Sequence, residues 1–274
     1  MDLTNVKAYA SIKESEGHVA VGPGDQFLGA GSWLYSAPHP EVKRLVDLTE
    51  IETEKKWLRF GDRMVRISSA TPLGWLAQYT WPENCVAANV FPVAIEGLSA
   101  SFKVIQRATV GGNIALSLAK GAIGPVCVAL GAEYELVSSS GVERRVDAAS
   151  FQTGSMCNIL NPGERLAAVW VPLKNLEAQW SLKRIMMTTT SHVATSVIGL
   201  RYSDSNKLRI GISATLVYPV ALEFEAFPEN KEVILEKIDS VLPRHPYMED
   251  QHGSARYRHA MARHLAGQVF DELK

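Results

Sequence analysis

Two short segments of the sequence combine small residues with polar side chains in a way that suits phosphate binding. Residues 29–32 read Gly-Ala-Gly-Ser after an apolar run, and residues 109–113 read Thr-Val-Gly-Gly-Asn. Glycine lets the backbone approach a ligand closely, and successive N–H groups in such a turn can surround phosphate oxygens. The Ser32 hydroxyl and the Asn113 amide supply further hydrogen-bonding groups. Taken singly, each segment is explained at least as well by an ordinary tight turn.

The first segment does not fit the dinucleotide fingerprint of a Rossmann fold. That fingerprint needs a third glycine in the pattern G-x-G-x-x-G, and Leu34 occupies its position here. A nucleotide-binding Rossmann βαβ unit is therefore disfavoured.

The composition is that of an ordinary globular protein. Of the 274 residues, 46% are hydrophobic and 21% are charged, so the chain can form a large core and more than one subdomain. The net charge of −1 gives no electrostatic reason to expect a nucleic-acid partner. No apolar run approaches the roughly 18 residues of a membrane helix, and the N-terminus lacks a signal-peptide pattern. We therefore expect no membrane span and a cytoplasmic location.

The spacing of cysteine and histidine gives no support for a metal site. Cys85, Cys127 and Cys157 lie far apart and form no C-x-x-C pair, and the seven histidines form no compact ligand motif. We expect reduced structural thiols, solvated histidines near the C-terminus, and no metal on this chain.

The hydrophobic pattern predicts mixed helices and strands in the first half of the chain. A helix is expected at 69–78, where Thr71 can act as a cap and Pro72 suits the first helical position. Residues 84–104 are expected to be mainly helical. Before them we expect a short amphipathic helix at 6–12, a strand at 19–24, an apolar strand ending at 29–32, a β-run at 44–48, and a strand pair at 57–61 and 64–68.

The second half has the pattern of antiparallel strands followed by helices. Apolar residues at helical spacing predict helices at 229–242 and 254–273. The expected strands are 133–137 and 142–146, joined by a turn at 138–141, and then 166–172, 180–187, 192–200 and 208–217. The fold class is therefore α+β, without an internal repeat.

The order and spacing of several motifs resemble one protein family. The motifs are residues 28–34 followed by 45–48, the strand 64–67, and residues 107–114, 129–132, 162–164 and 253–258. Together they look like the FAD-binding (medium) subunit of the molybdenum hydroxylases, which include xanthine dehydrogenase and carbon monoxide dehydrogenase. The likeness covers essentially the whole chain, and the Thr-Val-Gly-Gly-Asn motif at 109–113 is its most specific part.

The resemblance implies a particular architecture. It predicts the two-subdomain FAD-binding fold of the molybdopterin dehydrogenase (vanillyl-alcohol-oxidase-like) type, with a C-terminal antiparallel sheet and helices. The FAD-binding domain would span 1–173, divided into a small N-terminal subdomain at about 1–56 and a larger subdomain at about 57–173. Residues 174–274 would form the C-terminal flavoprotein subdomain.

The resemblance also implies which residues hold FAD. The two small-residue segments would clasp the diphosphate, Leu166 would lie near a backbone contact to the flavin, and Lys183 would lie close to the cofactor. A lysine near the flavin would favour its anionic reduced form. No catalytic residue is implied, because flavin electron transfer requires no protein acid or base. The implied cofactor-binding residues are Leu28, Gly29, Ala30, Gly31, Ser32, Trp33, Thr109, Val110, Gly111, Gly112, Asn113, Leu166 and Lys183.

Two positions depart from the family pattern. The first loop of the family usually reads Ala-Gly-Gly, and Ala30 stands at its central position. A positive φ angle there would cost roughly 1 kcal/mol or more. Ala122 stands where many members have an aspartate that meets the ribose or diphosphate region. These two departures put part of the nucleotide contact in question.

The function implied by the resemblance is electron transfer within an oxidoreductase complex. FAD on this chain would take electrons from iron–sulfur clusters and pass them to NAD⁺ or another acceptor. The implied partners are a large molybdopterin-binding subunit and a small subunit with [2Fe-2S] clusters. Two alternatives stay open at this point. One is a free-standing flavin oxidoreductase, and the other is a non-enzymatic relative that has lost FAD, which Ala30 and Ala122 motivate.

Overall fold

The computed structural model describes residues 3–12, 19–49, 51–52, 56–188 and 191–274. In these ranges the chain forms three main sheets and one two-stranded ribbon, with helices between and after them. The α+β class predicted from the hydrophobic pattern is confirmed. No helix of the described ranges is both long and apolar enough to cross a bilayer.

The N-terminal sheet is small and entirely parallel. It contains β1 (Ala8–Ser11), β2 (Asp25–Leu28) and β3 (Arg44–Asp47) in the order β1-β3-β2. The predicted helix at 6–12 is wrong, because Ala8–Ser11 pairs along its whole length with β3. The predicted strand at 19–24 is also wrong, since these residues form no strand and β2 begins at Asp25. Pairing with the buried strand β3 overrides the local pattern.

The central sheet has five antiparallel strands, and β10 forms its middle. The predicted pair at 57–61 and 64–68 is confirmed, as is the hairpin around 138–141. The sheet order is β4-β5-β10-β6-β7. Its strands, with the two strands of the ribbon, are β4 (Leu58–Phe60), β5 (Met64–Ser68), β6 (Glu133–Val137), β7 (Glu143–Asp147), β8 (Gln152–Gly154), β9 (Cys157–Asn158) and β10 (Arg165–Pro172).

Short helices connect and flank the central sheet. They are α1 (Leu73–Gln78), α2 (Val90–Glu96), α3 (Phe102–Arg107), α4 (Val110–Ala115), α5 (Ile123–Ala129), α6 (Ala148–Phe151) and α7 (Leu173–Leu176). Pro72 is the N-cap of α1 and not its first helical residue, and the Thr71 hydroxyl donates to the Trp57 carbonyl. The mainly helical character predicted for 84–104 is confirmed by a 3₁₀ turn at Val86–Asn89, by α2 and by the start of α3.

The C-terminal part is a four-stranded antiparallel sheet covered by two helices. Its strands are β11 (Gln179–Met186), β12 (Val193–Arg201), β13 (Leu208–Ser213) and β14 (Val220–Phe224), and its helices are α8 (Glu232–Val241) and α9 (Ala255–Leu273). The three predicted strands and both predicted helices are confirmed, while β14 was not predicted. Helix α9 lies so close to β12 that a Cβ on Gly199 would be 2.3 Å from a methyl group of Val269.

Helix α5 joins the central and C-terminal parts. A Cβ on Gly211 of β13 would lie 2.8 Å from the Cβ of Ala129, so only glycine allows this approach. Arg209 of the same strand donates to the Val128 carbonyl near the end of α5. The C-terminal sheet is therefore fixed directly against the segment that follows the Thr-Val-Gly-Gly-Asn motif.

Candidate cofactor site

The two segments predicted to bind phosphate meet in the folded chain. Residues 29–32 follow β2, which ends at Leu28, and residues 109–113 follow α3, which ends at Arg107. A Cβ on Gly29 would lie 3.0 Å from Thr109 Oγ1. The first loop (residues 29–32) and the second loop (residues 109–113) therefore form one site, and the Thr109 hydroxyl lies against bare backbone.

The first loop supplies unused backbone donors. No hydrogen bond between described residues uses the N–H groups of Ala30, Gly31 and Ser32, or the Ser32 hydroxyl. Gly31 has φ = +73°, and a Cβ there would be 2.2 Å from the Tyr35 ring. Ala30 is not among the residues with a positive φ angle. The strain considered for Ala30 therefore does not arise, because Gly31 takes the left-handed conformation.

The second loop is the start of a helix, and its N–H groups are already bonded. The Thr109 hydroxyl caps α4 by accepting from the Gly112 N–H at 3.1 Å. The N–H of Val110 donates to the Thr71 carbonyl at 2.9 Å, and that of Gly111 to the Ser69 carbonyl at 2.8 Å. The prediction that this motif is a turn whose N–H groups surround phosphate is therefore wrong, because those N–H groups are bonded within the protein and the motif begins helix α4.

The two glycines of the second loop have different roles. A Cβ on Gly111 would lie 2.6 Å from the Cβ of Ser69, so packing against the end of β5 requires a glycine there. Gly112 is exposed, and a Cβ there would meet only Thr109 Oγ1, at 3.1 Å. Gly112 is the position where the protein presents bare backbone outward, which leaves room for a ligand.

Strand β10 reaches the second loop through one residue. Its pairing with β6 is irregular between Leu166 and Ala168, and the Ala167 carbonyl accepts from the Ser69 N–H at 3.0 Å. Ser69 in turn accepts from Gly111 at 2.8 Å. The buried Leu166 therefore lies on a strand that supports the second loop, and its predicted contact with the flavin stays a prediction.

Asn113 connects the second loop to a cleft. Its Oδ1 accepts from the Ile123 N–H, the first residue of α5, at 2.9 Å. The preceding residue, Ala122, is buried and lines a cleft between α2, α5 and the C-terminal sheet. The enclosed part of this cleft measures about 30 Å³. The sequence did not reveal it, because its walls come from distant parts of the chain.

Lys183 lies on the face of β11 opposite the cleft-lining side chains. Its ammonium group pairs with Glu272 of α9, whereas its neighbours Leu182 and Arg184 line the cleft. Successive residues of a strand point to opposite faces, which explains the difference. Trp33, the last predicted residue after the first loop, is 43% exposed.

A charge cluster around the buried Arg258 fixes the segment before α5 to the C-terminal part. Lys120 Nζ lies 2.6 Å from Asp250 Oδ2, and the fully buried Arg258 lies 2.5 Å from Asp250 Oδ1. Burial by itself would raise the pKa of Asp250, but the hydrogen bonds from Lys120 and the His252 N–H and the charge of Arg258 outweigh it. The pKa of Asp250 is lowered to about 2 as a result.

The residues at the junction of the loops fit the diphosphate of a dinucleotide. A diphosphate needs several hydrogen-bond donors and close backbone approach. The N–H groups of Ala30, Gly31 and Ser32 and the hydroxyl proton of Thr109 have no acceptor among the described residues. Gly112 offers access without a side chain. In the described ranges, no group of three His, Cys, Asp or Glu side chains is arranged to hold a metal ion.

Comparison with solved structures shows the same fold along the whole chain. Quinoline 2-oxidoreductase from Pseudomonas putida 86 has a TM-score of 0.77 at 18% identity, over 100% of this chain and 98% of that one. Reconstituted CO dehydrogenase from Oligotropha carboxidovorans has a TM-score of 0.79 at 19% identity, over 99% and 98%. Carbon monoxide dehydrogenase from Hydrogenophaga pseudoflava, in a form lacking the Mo-pyranopterin moiety, has a TM-score of 0.77 at 20% identity, over 97% and 96%.

A family model settles the assignment. The FAD binding domain in molybdopterin dehydrogenase matches residues 5–174, which is more than half of the chain. A search of curated proteins finds no match. The resemblance seen in the sequence motifs is confirmed by the family model and by the shared fold. The chain therefore belongs to the family of FAD-binding domains of molybdopterin dehydrogenases, and it is the flavin-binding part of an oxidoreductase.

Proposed function

We propose that this chain is the FAD-binding electron-transfer subunit of a molybdenum hydroxylase-type dehydrogenase complex. The contact between the two loops supports this proposal most directly. Gly29 lies against the Thr109 hydroxyl, and the adjacent N–H groups of Ala30, Gly31 and Ser32 have no partner among described residues. A site with free donors and a bare backbone surface suits the diphosphate of FAD.

Each residue at the junction has a definite task in this proposal. The N–H groups of residues 30–32 and the hydroxyls of Ser32 and Thr109 donate to diphosphate oxygens. Gly112 permits the backbone to approach them. Leu28, Trp33 and Val110 frame the two loops, and Asn113 holds the start of α5 in position. Leu166 and Lys183 remain predicted cofactor contacts.

The chemistry of the bound group determines the reaction class. FAD accepts electrons singly or in pairs, and can therefore join one-electron carriers to a two-electron acceptor. Two structural relatives are metal-dependent carbon monoxide dehydrogenases, one with a molybdenum cofactor and one of the Cu,Mo type. We propose a large molybdopterin-binding subunit and a small [2Fe-2S] subunit as partners, with NAD⁺ or another carrier as acceptor.

The test begins with the purified chain and FAD. The chain should show flavin absorption bands as isolated or after reconstitution, and should quench FAD fluorescence with saturable binding. Alone it should reduce dyes with reduced nicotinamide at most, and substrate oxidation should require the large and small subunits. A folded chain that binds no FAD would refute the proposal. Oxidation of a small-molecule substrate by the chain alone would instead favour a free-standing flavin oxidoreductase.

A further inference from the structure

The cleft beside Asn113 contains two cations that the sequence did not single out. Lys120, in the segment between α4 and α5, and Arg184, on β11, both line it. The remaining walls are small or apolar and include Ala94, Leu98, Pro125, Leu182, Val193 and Ile198. An apolar cleft with a few placed charges suits a flat aromatic ring with an anionic edge.

We propose that Lys120 and Arg184 are positioning residues for the isoalloxazine ring of FAD, and that they, and not Lys183, stabilise the negative charge of its reduced form. This inference rests on the proposed function, because it requires that the chain binds FAD. It assigns to two residues from different parts of the fold a charge that the family resemblance assigned to Lys183.

The cleft is within reach of a ligand held at the two loops. Asn113 Oδ1 accepts from Ile123 at 2.9 Å, and it lies 3.7 Å from the position of a Cβ on Gly121. Gly121 and Ala122 both line the cleft. One side chain thus separates the second loop from the cleft wall. The enclosed volume of about 30 Å³ holds about one or two water molecules, so a flavin ring would lie across the open mouth.

Lys120 keeps a net positive charge at this wall. Its side chain is 16% exposed, and its ammonium group lies 2.6 Å from one oxygen of Asp250. The other oxygen of Asp250 pairs with the buried Arg258 at 2.5 Å. One carboxylate is therefore shared by two cations, which leaves one positive charge uncompensated. Two of the three ammonium protons of Lys120 have no acceptor among the described residues and can donate to a ligand.

Arg184 lines the same cleft as Lys120 and is fixed by the end of α2. Its guanidinium donates to the Val93 carbonyl and pairs with Glu96 at 3.1 Å. A Cβ on Gly97 would lie 2.6 Å from Arg184 Nη1, so the guanidinium lies directly against bare backbone at this position. Glu96 is 76% exposed and its charge is screened by solvent. Three of the five N–H donors of Arg184 have no partner among described residues.

These two charges act on the reduction equilibrium of the flavin. Two electrons from a reductant and one proton from solvent convert the oxidised ring to a reduced ring with one negative charge. A unit positive charge roughly 10 Å from that negative charge shifts the equilibrium about tenfold or more, at an effective dielectric constant near 20. Sulfite addition to the ring also places a negative charge on it, and therefore reports the same field.

The experiment compares Lys120→Gln and Arg184→Gln with wild type in the full-length chain reconstituted with FAD. Each variant should bind sulfite about tenfold more weakly and should have a lower midpoint potential, on the order of 30 mV for a tenfold change in a two-electron equilibrium. Lys120→Arg and Arg184→Lys should retain most of both properties. A merely structural role would change the melting temperature without moving the potential of the bound flavin.

Two further variants control for general charge effects. Lys207 is an ion-paired lysine that immediately precedes Leu208, the first residue of β13, whereas the cleft-lining Ser213 is the last residue of that strand. Lys207→Gln should leave the potential and the sulfite affinity unchanged. Lys183→Gln should change both less than Arg184→Gln does.

The outcomes separate the two proposals. If wild type holds no FAD, the proposed function fails and this inference fails with it. If wild type holds FAD but neither Gln variant moves the potential or the sulfite affinity, only the inference is overturned. A larger shift for Lys183→Gln than for Arg184→Gln also overturns it. If Arg184→Gln does not fold, Lys120→Gln decides, because Asp250 keeps Arg258 as its partner in that variant.

Discussion

Replacing Gly112 by valine should weaken FAD binding while leaving the fold nearly as stable as before. Gly112 is exposed, lies in the first turn of α4, and would bring a Cβ only toward Thr109 Oγ1, at 3.1 Å. The branched side chain would occupy the space through which the backbone approaches the diphosphate. Binding and stability should therefore respond differently to this substitution.

The expected magnitudes follow from these contacts. In a helix, valine is preferred over glycine by a few tenths of a kcal/mol, about the size of the cost of the tight contact with Thr109. The free energy of unfolding should thus change by less than about 1 kcal/mol. Loss of one hydrogen bond to the charged diphosphate costs about 1.5–3 kcal/mol. The Kd for FAD should therefore rise roughly 10-fold to 100-fold.

Two other glycines serve as matched controls in FAD fluorescence titration and urea denaturation. Gly267 lies on α9, where a Cβ would meet only a Lys231 methylene at 3.8 Å, so Gly267→Val should change neither property much. Gly111→Ala should lower stability by about 1–3 kcal/mol, because its Cβ would overlap Ser69 at 2.6 Å. If Gly112→Val binds FAD as tightly as wild type, the diphosphate does not lie over this loop and the site is wrongly placed.

Three further predictions test the loops and the charge cluster. Gly31→Ala should lower the free energy of unfolding, measured by urea denaturation, by at least about 1 kcal/mol, because it places a side chain at φ = +73° and against Tyr35. Ala30→Gly should not raise the free energy of unfolding by relieving strain. Equal effects of the two substitutions would contradict the conclusion that Gly31, and not Ala30, takes the left-handed conformation. Thr109→Val should weaken FAD binding and should lower the free energy of unfolding by about 1 kcal/mol, because the cap of α4 is lost. Thr109→Ser should retain both the FAD affinity and the stability. An unchanged Kd for the valine variant would show that the Thr109 hydroxyl does not contact FAD. The pKa of Asp250 is lowered to about 2, so its carboxylate contributes stability above pH 4 that is lost as the pH falls from about 4 to 2. Asp250→Asn should lower the free energy of unfolding by at most about 2 kcal/mol at neutral pH and should reduce its dependence on pH between pH 4 and 2. If that pH dependence is the same in the variant as in wild type, the low pKa of Asp250 is contradicted.

Much of the secondary structure could be predicted because its causes are local. The alternation of side chains at 64–68 and the small residues at 138–141 specify a strand and a hairpin turn without reference to the rest of the chain. The apolar spacing at 254–273 likewise specifies α9. The order of the motifs also identified the family, since each motif carries steric requirements that survive as residue types. Residues 6–12 were predicted wrongly because their partner β3 lies far along the chain.

The cofactor site could be predicted only in part. The sequence by itself determined that residues 29–32 and 109–113 are small and polar enough to approach a phosphate. Only the tertiary structure decided which of them keep donors for a ligand. The N–H groups of residues 110 and 111 donate to Thr71 and Ser69, whereas those of residues 30–32 donate to no acceptor in the described part of the chain. Such bonding depends on the strand and the helix that pack against each loop.

The charges near the cleft show the same division. The sequence determined that the chain has a lysine at 183 and an arginine at 184, but neighbouring residues on a strand point to opposite faces. Packing of β11 between α9 and α2 decided that Lys183 pairs with Glu272 while Arg184 lines the cleft with Lys120. The physical reason is that a side chain's type is fixed by the sequence, whereas its electrostatic environment is fixed by which elements of the fold surround it.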